Sequence, residues 1–292
     1  MISPARGIQA GRYWQAQLAQ QREHAAPIDQ ARLLALVRDR YAASDEILAT
    51  LRRDGVATIA DYWSPDQCAQ AREELEGMLR QYPASVRKFS NGADQRMFGV
   101  EMAGVATREF HDDPFLRSIG ELVGGFGLYN FATLGARIDA TPENFGSGEG
   151  WHRDAFGCQF KAFVYLCDVT DRNGPLQYLS GSHRLWRVML ESALGRLPVP
   201  PESRMDAARM ADLIGRQVFV PKQIEARAGT VILANTAGMH AGSRLLSGRR
   251  YALTNYYYHP YQIGKTLVDK FLPMIPGAAE RLAPFVEAES RD

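Results

Sequence analysis

Cysteine is scarce. Three residues among 292, Cys68, Cys158 and Cys167, are too few and too irregularly spaced for a disulfide framework, and no two form a CxxC pair suited to zinc. Free thiols in a reducing compartment are the expectation. No apolar run approaches the roughly 18 residues of a membrane-spanning helix. The opening MISPARGIQAGRYWQ has no apolar core of the signal-peptide kind, so a cytoplasmic protein is expected, with no membrane partner. Neither sign of charge dominates. The formal net charge is +1, and the densest basic stretches are the pairs Arg52-Arg53, Arg87-Lys88 and Arg249-Arg250. That is no phosphate track, and no nucleic-acid partner is expected. There is no internal repeat and no HExxH motif, which argues against zinc hydrolysis.

What is present is an ordinary globular composition, 46% hydrophobic and 23% charged, in a chain long enough to bury a core without covalent staples. The first part reads as helical, with apolar spacing over 8–24 and 29–41 and a third helix from Ser44-Asp45 to Gly55. Residues 56–60 are short and partly β-branched and read as a strand. Ser64-Pro65-Asp66-Gln67 is a capping box that predicts a helix to about Tyr82, and Asp113-Pro114 opens another that Gly124 or Gly125 closes. From about residue 127 strands and turns dominate: 128–139, 158–169, 174–180, 217–222, 230–235 and 250–259, with turns that include Glu149-Gly150 and Gly181-Ser182. A partly helical insertion lies near 185–216. Short strands without regular helices between them predict an antiparallel sandwich or barrel, a mainly β core with flanking helices. Residues 45–292 are read as one domain and 1–44 as a helical extension packed on it. Leu33, Leu34 and Leu36 let that extension serve as a brace, a lid or a homodimer contact.

The chemistry concentrates at Trp151-His152-Arg153-Asp154. In an extended segment His152 and Asp154 share one face and Arg153 takes the other. Two such groups supply two-thirds of the 2-His-1-carboxylate face used by non-haem Fe(II) oxygenases. His240 follows the buried-looking strand 230–235 in a run of small residues, AGMHAGS, and is the candidate third ligand. Arg249 and Arg250 stand at the start of the strand 250–259, where a guanidinium can pair with a carboxylate through two hydrogen bonds. Taken singly, each of these residues has an ordinary alternative: a surface pair, a hydrogen-bonded loop histidine, a solvated arginine.

In combination, the chain resembles the phytanoyl-CoA dioxygenase family of Fe(II)/2-oxoglutarate oxygenases over roughly residues 45–260. The resemblance rests on DGVATIADYWSPDQCAQAREELEGM, HDDPFLRSIGELVG, WHRD, DRNGPLQYLSGSHR, and AGTVILANTAGMHAGS followed by RRYALTNYYY. It implies a double-stranded β-helix (a jelly roll, cupin-like) with His152, Asp154 and His240 on Fe(II). Arg250 would hold the far carboxylate of 2-oxoglutarate. The step from His240 is one residue shorter than the family pattern, so Arg249 remains the alternative. His183, in the family's Gly-Ser-His turn, is the rival third ligand, but lies too near Asp154 in sequence to come from the distal strand; Ser180 replaces that turn's usual proline.

The implied reaction consumes O2 and 2-oxoglutarate, releases succinate and CO2, and oxidises a C–H bond of a small-molecule metabolite or natural-product intermediate. Halogenases of the family lack the carboxylate ligand, so Asp154 favours hydroxylation, with desaturation, cyclisation and epimerisation open to the same triad. Trp151, Phe156, Phe160, Phe163, Tyr165, Tyr256 and Tyr258 are read mainly as core packing rather than cavity wall. Loops 86–97 and 141–150 are the candidates for substrate contact. Arg87, Lys88 and Arg96 read first as surface charge and second as receivers of an anionic substrate. Two rival functions stand beside this one: a cupin-like metalloenzyme that does not use 2-oxoglutarate, and a non-catalytic jelly-roll binding protein.

Overall fold

The computed structural model describes residues 2–144, 146 and 150–289. Residues 145 and 147–149 of the candidate substrate loop, and with them the turn at Glu149, lie outside the described residues. Strands form two antiparallel sheets. The larger runs in the order β1 (Val56–Ile59), β8 (Val231–Asn235), β5 (Phe160–Tyr165), β10 (Arg249–Tyr258), β4 (Tyr129–Asp139), β3 (Asp94–Phe98), β2 (Arg87–Phe89). The smaller runs β7 (Val220–Ile224), β6 (Leu176–Ser180), β9 (His240–Gly242). This is the jelly roll that the sequence resemblance implied.

The central strands β8 and β5 of the larger sheet are buried on both faces, and this explains why they read as near-continuous apolar runs. One face, with Ala162, Val164 and Leu253, packs against helices α4 (Pro65–Gln81), α5 (Val105–Asp112) and α6 (Pro114–Gly124) through Leu75, Phe110 and Leu116. The opposite face looks toward the smaller sheet. Register places its side chains in rows: Lys161 beside Tyr256, Phe163 beside Thr254 and Leu134, Tyr165 beside Ala252, Ala136 and Arg96.

Local chemistry sets the helix ends. Ser64 Oγ accepts from the Gln67 amide (3.2 Å) and Gln67 Oε1 from the Ser64 amide (3.0 Å), so the capping box opens α4. Asp113 Oδ1 accepts from Phe115 N at 2.9 Å at the start of α6. Helix α3 (Ser44–Asp54) stops at Gly55, whose φ of 87° is left-handed and where a Cβ would lie 2.2 Å from Tyr178 Oη. The first helix, α1 (Pro4–Glu23), lies along α7 (Leu185–Ala193), and its Trp14 is buried with Leu179, Val188 and Met239. Helix α2 (Gln30–Arg40) packs on α6, which places Leu33, Leu34 and Leu36 against the main core.

Two local expectations shift. Residues 86–97 are a β2–β3 hairpin that extends the larger sheet, not an open loop; positive φ at Ser90, Asn91 and Gly92 turns the chain between two charged strands. The strand expected at 217–222 runs from 220 to 224. Gln217 sits at φ 53° after α8 (Ala207–Gly215), and Val218 and Phe219 are buried in the helical cluster before pairing begins. The tail carries α9 (Lys265–Phe271), whose Phe271 packs on Phe98, Phe131 and Tyr256, and α10 (Ala283–Glu289).

Candidate metal centre

The WHRD segment is too short for a regular strand, yet it is held as one. His152 N donates to His240 O (2.9 Å) and His240 N to His152 O (2.8 Å), so the segment adds to the smaller sheet beside β9. Asp154 N donates to Thr236 O (2.9 Å), and on the other edge Arg153 N donates to Ser203 O (2.8 Å). Side chains therefore alternate. His152 and Asp154 face the space between the sheets. Arg153 turns away, donates to Ala237 O at 2.9 Å, and places its guanidinium 4.8 Å from the Trp14 ring.

Potential ligand atoms of His152, Asp154 and His240 all lie within 4.8 Å of one another. Each imidazole is oriented from behind: Nδ1 of His152 is 2.9 Å from Gly150 O and Nδ1 of His240 is 3.0 Å from Gly238 O. A carbonyl only accepts, so the proton sits on Nδ1 in both rings and the Nε2 lone pairs are left facing Asp154, at 4.0 and 3.5 Å. Burial depresses both histidines, His240 to about 4 against the opposing Asp154 charge, and keeps them neutral at physiological pH. Burial alone would raise the Asp154 carboxyl, but the Lys161 ammonium beside it holds it far below the ordinary carboxylate range. Two neutral imidazoles and one carboxylate on a single face are the donor set that suits ferrous iron with open positions.

The small residues before His240 do not open room for a ligand. They admit Tyr178: a Cβ at Gly238 would lie 2.0 Å from Tyr178 Oη, and the Tyr178 ring stacks on His240 at 6.5 Å.

These groups open into a cavity of about 420 Å³ between the sheets. Its far wall is the inner face of the larger sheet, with Phe163, Tyr165, Tyr256 and Arg250. Those three aromatics are cavity wall, whereas Phe160 is buried in the core against Tyr257. Arg250 is buried, and among the described residues no carboxylate lies within ion-pair distance of it; burial lowers its pKa, partly offset by Tyr165 and Asp94. Arg249, its neighbour, alternates to the other face and is tied to Asp139 and Glu76. His183 lies by Gly55, 3.3 Å from Arg52 O, apart from the three-residue cluster.

Sequence reasoning passed over Lys161. It is buried on β5 with its ammonium 2.8 Å from Asp154 and 4.0 Å from the centre of the Tyr256 ring. Burial opposes its charge, but Asp154 and then Tyr256 and Tyr258 raise its pKa. The signal was there: a lone lysine in an otherwise apolar strand is costly unless paired. Arg204 and Lys270 also line the cavity. Of the three basic residues at 86–97, Arg96 reaches the cavity wall and pairs with Asp94, while Arg87 donates to Lys270 O at 2.7 Å and Lys88 is exposed.

The profile of the phytanoyl-CoA dioxygenase (PhyH) family matches residues 51–252. The chain belongs to this family. PhyH proteins are Fe(II)- and 2-oxoglutarate-dependent oxygenases, the class the sequence resemblance implied. Among curated relatives the chain is similar to the L-proline trans-4-hydroxylase of Streptomyces griseoviridis, 22% identical over 256 residues, covering 79% of this chain and 94% of that protein. It is also similar to the ectoine dioxygenase of Stutzerimonas stutzeri (strain A1501), 26% identical over 156 residues, 48% of this chain and 50% of the relative, so this match spans half the relative's length. Two solved structures share the fold. One is the epimerase SnoN of nogalamycin biosynthesis in complex with Fe3+, alpha ketoglutarate and nogalamycin RO, with TM-score 0.59 and 19% identity over 75% of this chain and 85% of that one. The other is EctD from S. alaskensis with bound Fe, with TM-score 0.57 and 19% identity over 73% and 75%.

Proposed function

We propose that this PhyH protein is a 2-oxoglutarate-dependent hydroxylase of a small molecule, with Fe(II) on His152, Asp154 and His240 and the distal carboxylate of 2-oxoglutarate on Arg250. The observation that supports this most is the pairing of a preoriented two-imidazole, one-carboxylate face with a buried guanidinium that has no carboxylate partner across the same cavity. A buried cation without a counter-ion is costly, and an anionic co-substrate supplies what the chain withholds. Arg249 is the poorer candidate because Asp139 and Glu76 already occupy it.

When bound, ferrous iron with 2-oxoglutarate and O2 supplies an oxidative decarboxylation to succinate and CO2, coupled to oxidation of a substrate C–H bond. The chain supplies the rest. Gly150 O and Gly238 O fix the imidazole tautomers. Lys161 holds the Asp154 carboxylate from the side of the larger sheet. The Tyr165 hydroxyl, which accepts from Leu176 N (2.9 Å) and donates to Ile224 O (3.3 Å), anchors the wall beside Arg250. Phe163 and Tyr256 make that wall apolar and limit water. Asp154 occupies the position that a halide would need, which favours hydroxylation over halogenation.

The same reading takes 1–44 as an extension braced on one jelly-roll domain, 45–292, because Trp14 shares a buried cluster with Val188 and Met239. It takes the protein as cytoplasmic on the strength of its free cysteines. No helix among the described residues is long and apolar enough to cross a membrane. Homodimer formation is not needed to cover α1, which lies on its own chain.

The test is an oxygen-free titration of the Fe(II)-loaded protein with 2-oxoglutarate. A weak visible charge-transfer band of the keto-acid chelate is expected, absent in His152→Ala and weakened in Arg250→Ala. Iron binding without the band would point to the cupin-like alternative, and no iron binding to a binding module.

A further inference from the structure

Cations crowd this cavity. Among the described residues lining it, Asp154 is the one carboxylate, against Arg96, Lys161, Arg204, Arg250 and Lys270; Arg153, also at the wall, turns its guanidinium to Trp14. Asp94 neutralises Arg96 from behind. Loading the site with a divalent metal and a doubly charged co-substrate leaves the balance unchanged, since the two cancel. Arg250 then serves the co-substrate, and Asp154, as a metal ligand, serves the metal. Arg204 is not free, and Lys161 and Lys270 remain, at the base and at the rim of one cavity.

We infer, on the basis of the metal and 2-oxoglutarate reading above, that the substrate is a small organic anion whose carboxylate or phosphate group is received by Lys161, with Lys270 drawing it in. Lys161 carries the inference. A buried ammonium has three donors. Asp154 takes one, the Tyr256 ring faces another side, and the described residues supply no second acceptor. A buried donor left unmet costs stability, and an anion in the cavity meets it. The rim cation Lys270 adds a positive potential that raises the local concentration of an anion and speeds its entry in a salt-dependent way. Because the Lys161 ammonium touches Asp154, the bound acid group lies beside the metal face, and the oxidised carbon is within a few bonds of it. A cavity of about 420 Å³ is near the lower end of ligand pockets, which keeps the substrate metabolite-sized. Lys270 lies on α9, beyond residue 252 where the family match ends, so this specificity comes partly from a segment outside the family profile.

The experiment is calorimetry on the intact protein in three stages: nickel(II) as an oxygen-inert metal, then saturating 2-oxoglutarate, then a probe. The probes are benzoate and phenyl phosphate, with benzamide as the neutral match. Failure of the first two stages refutes the metal and co-substrate reading; the third addresses the substrate alone. We expect an anionic probe to bind about tenfold or more tighter than benzamide at low salt, the size of one charged hydrogen bond. The advantage should shrink as salt rises, and the better of the two anions identifies the group. Lys161→Met should abolish the advantage, while Lys270→Gln, at an exposed position, should reduce it in a protein whose fold is not at risk. Benzamide binding as tightly as the anions, or no probe binding at all, overturns the inference. So does displacement of 2-oxoglutarate by benzoate, or a Lys161→Met protein that loses 2-oxoglutarate affinity while keeping the anion advantage, for Lys161 would then serve the co-substrate.

Discussion

His240 is positioned before any metal arrives. Its amide and carbonyl are bonded to His152, its Nδ1 to Gly238 O, and its ring lies against Tyr178. The support is tight enough that Gly238→Ala must displace the tyrosine, since the new Cβ would fall 2.0 Å from Tyr178 Oη. We expect a loss of about 1–3 kcal/mol in denaturant unfolding, from overpacking. Iron affinity should also fall about tenfold or more, the usual effect of disturbing a ligand's support. Retained affinity in a folded variant would show that the packing of Tyr178 does not position the imidazole. Arg250 and Arg249 make a second contrast. Arg250→Lys keeps the charge but loses the planar fork, so KM for 2-oxoglutarate should rise about tenfold with kcat little changed. Arg249→Ala, on the opposite face, should leave that KM unaltered; steady-state kinetics with each variant separates the two.

At the scale of elements, α1 is more than a cover. Trp14 is 2% exposed and lies over Arg153, and Arg153 in turn donates to Ala237 O in the turn that leads to His240. Trp14→Ala should cost about 3–5 kcal/mol, the range for truncating a large buried aromatic. Metal binding should weaken as well, although the residue lies on the far side of the metal face. Urea melts with and without metal will show it: a stability loss with unchanged metal affinity would make α1 a brace for α7 alone. The hairpin β2–β3 is a different case. Its strands are charged, so no apolar alternation marks them, and they pair because β4 offers an edge.

For the whole molecule, buried histidines set the response to acid. Burial lowers His240, His183 and His259 to about 4 and His111 to about 3, from an ordinary 6.5. Above pH 6.5 neither the folded nor the unfolded chain binds these protons, and they contribute nothing. Between 6.5 and 4 the unfolded chain binds them while the folded chain does not, so stability falls as pH falls. The metal-free protein should therefore lose thermal stability from about pH 6.5 downward, before carboxylates titrate, by several degrees at pH 4.5. Scanning fluorimetry across that range measures it, and a flat melting temperature would contradict the burial of these imidazoles.

How much of this was written in the chain itself follows from the range of the forces involved. Local signals were legible because their partners are near in sequence: the capping box at Ser64, the left-handed stop at Gly55, the alternation that sends His152 and Asp154 one way and Arg153 the other. The order of WHRD, the distal histidine and the paired arginines pointed to the family, and with it the jelly roll. What lay beyond reach depends on contacts between distant segments. Only the sheet register decides that Arg250 lines the cavity while Arg249 pairs with Asp139 and Glu76. Only the packing of two sheets brings Lys161 of β5 to Asp154, and only the fold of the tail sets Lys270 on the cavity of a site that begins at residue 152. Residue types and local spacing determine which groups are available for chemistry. The tertiary structure alone decides which charges are buried together, because the desolvation that makes them act on one another exists only once the sheets have closed.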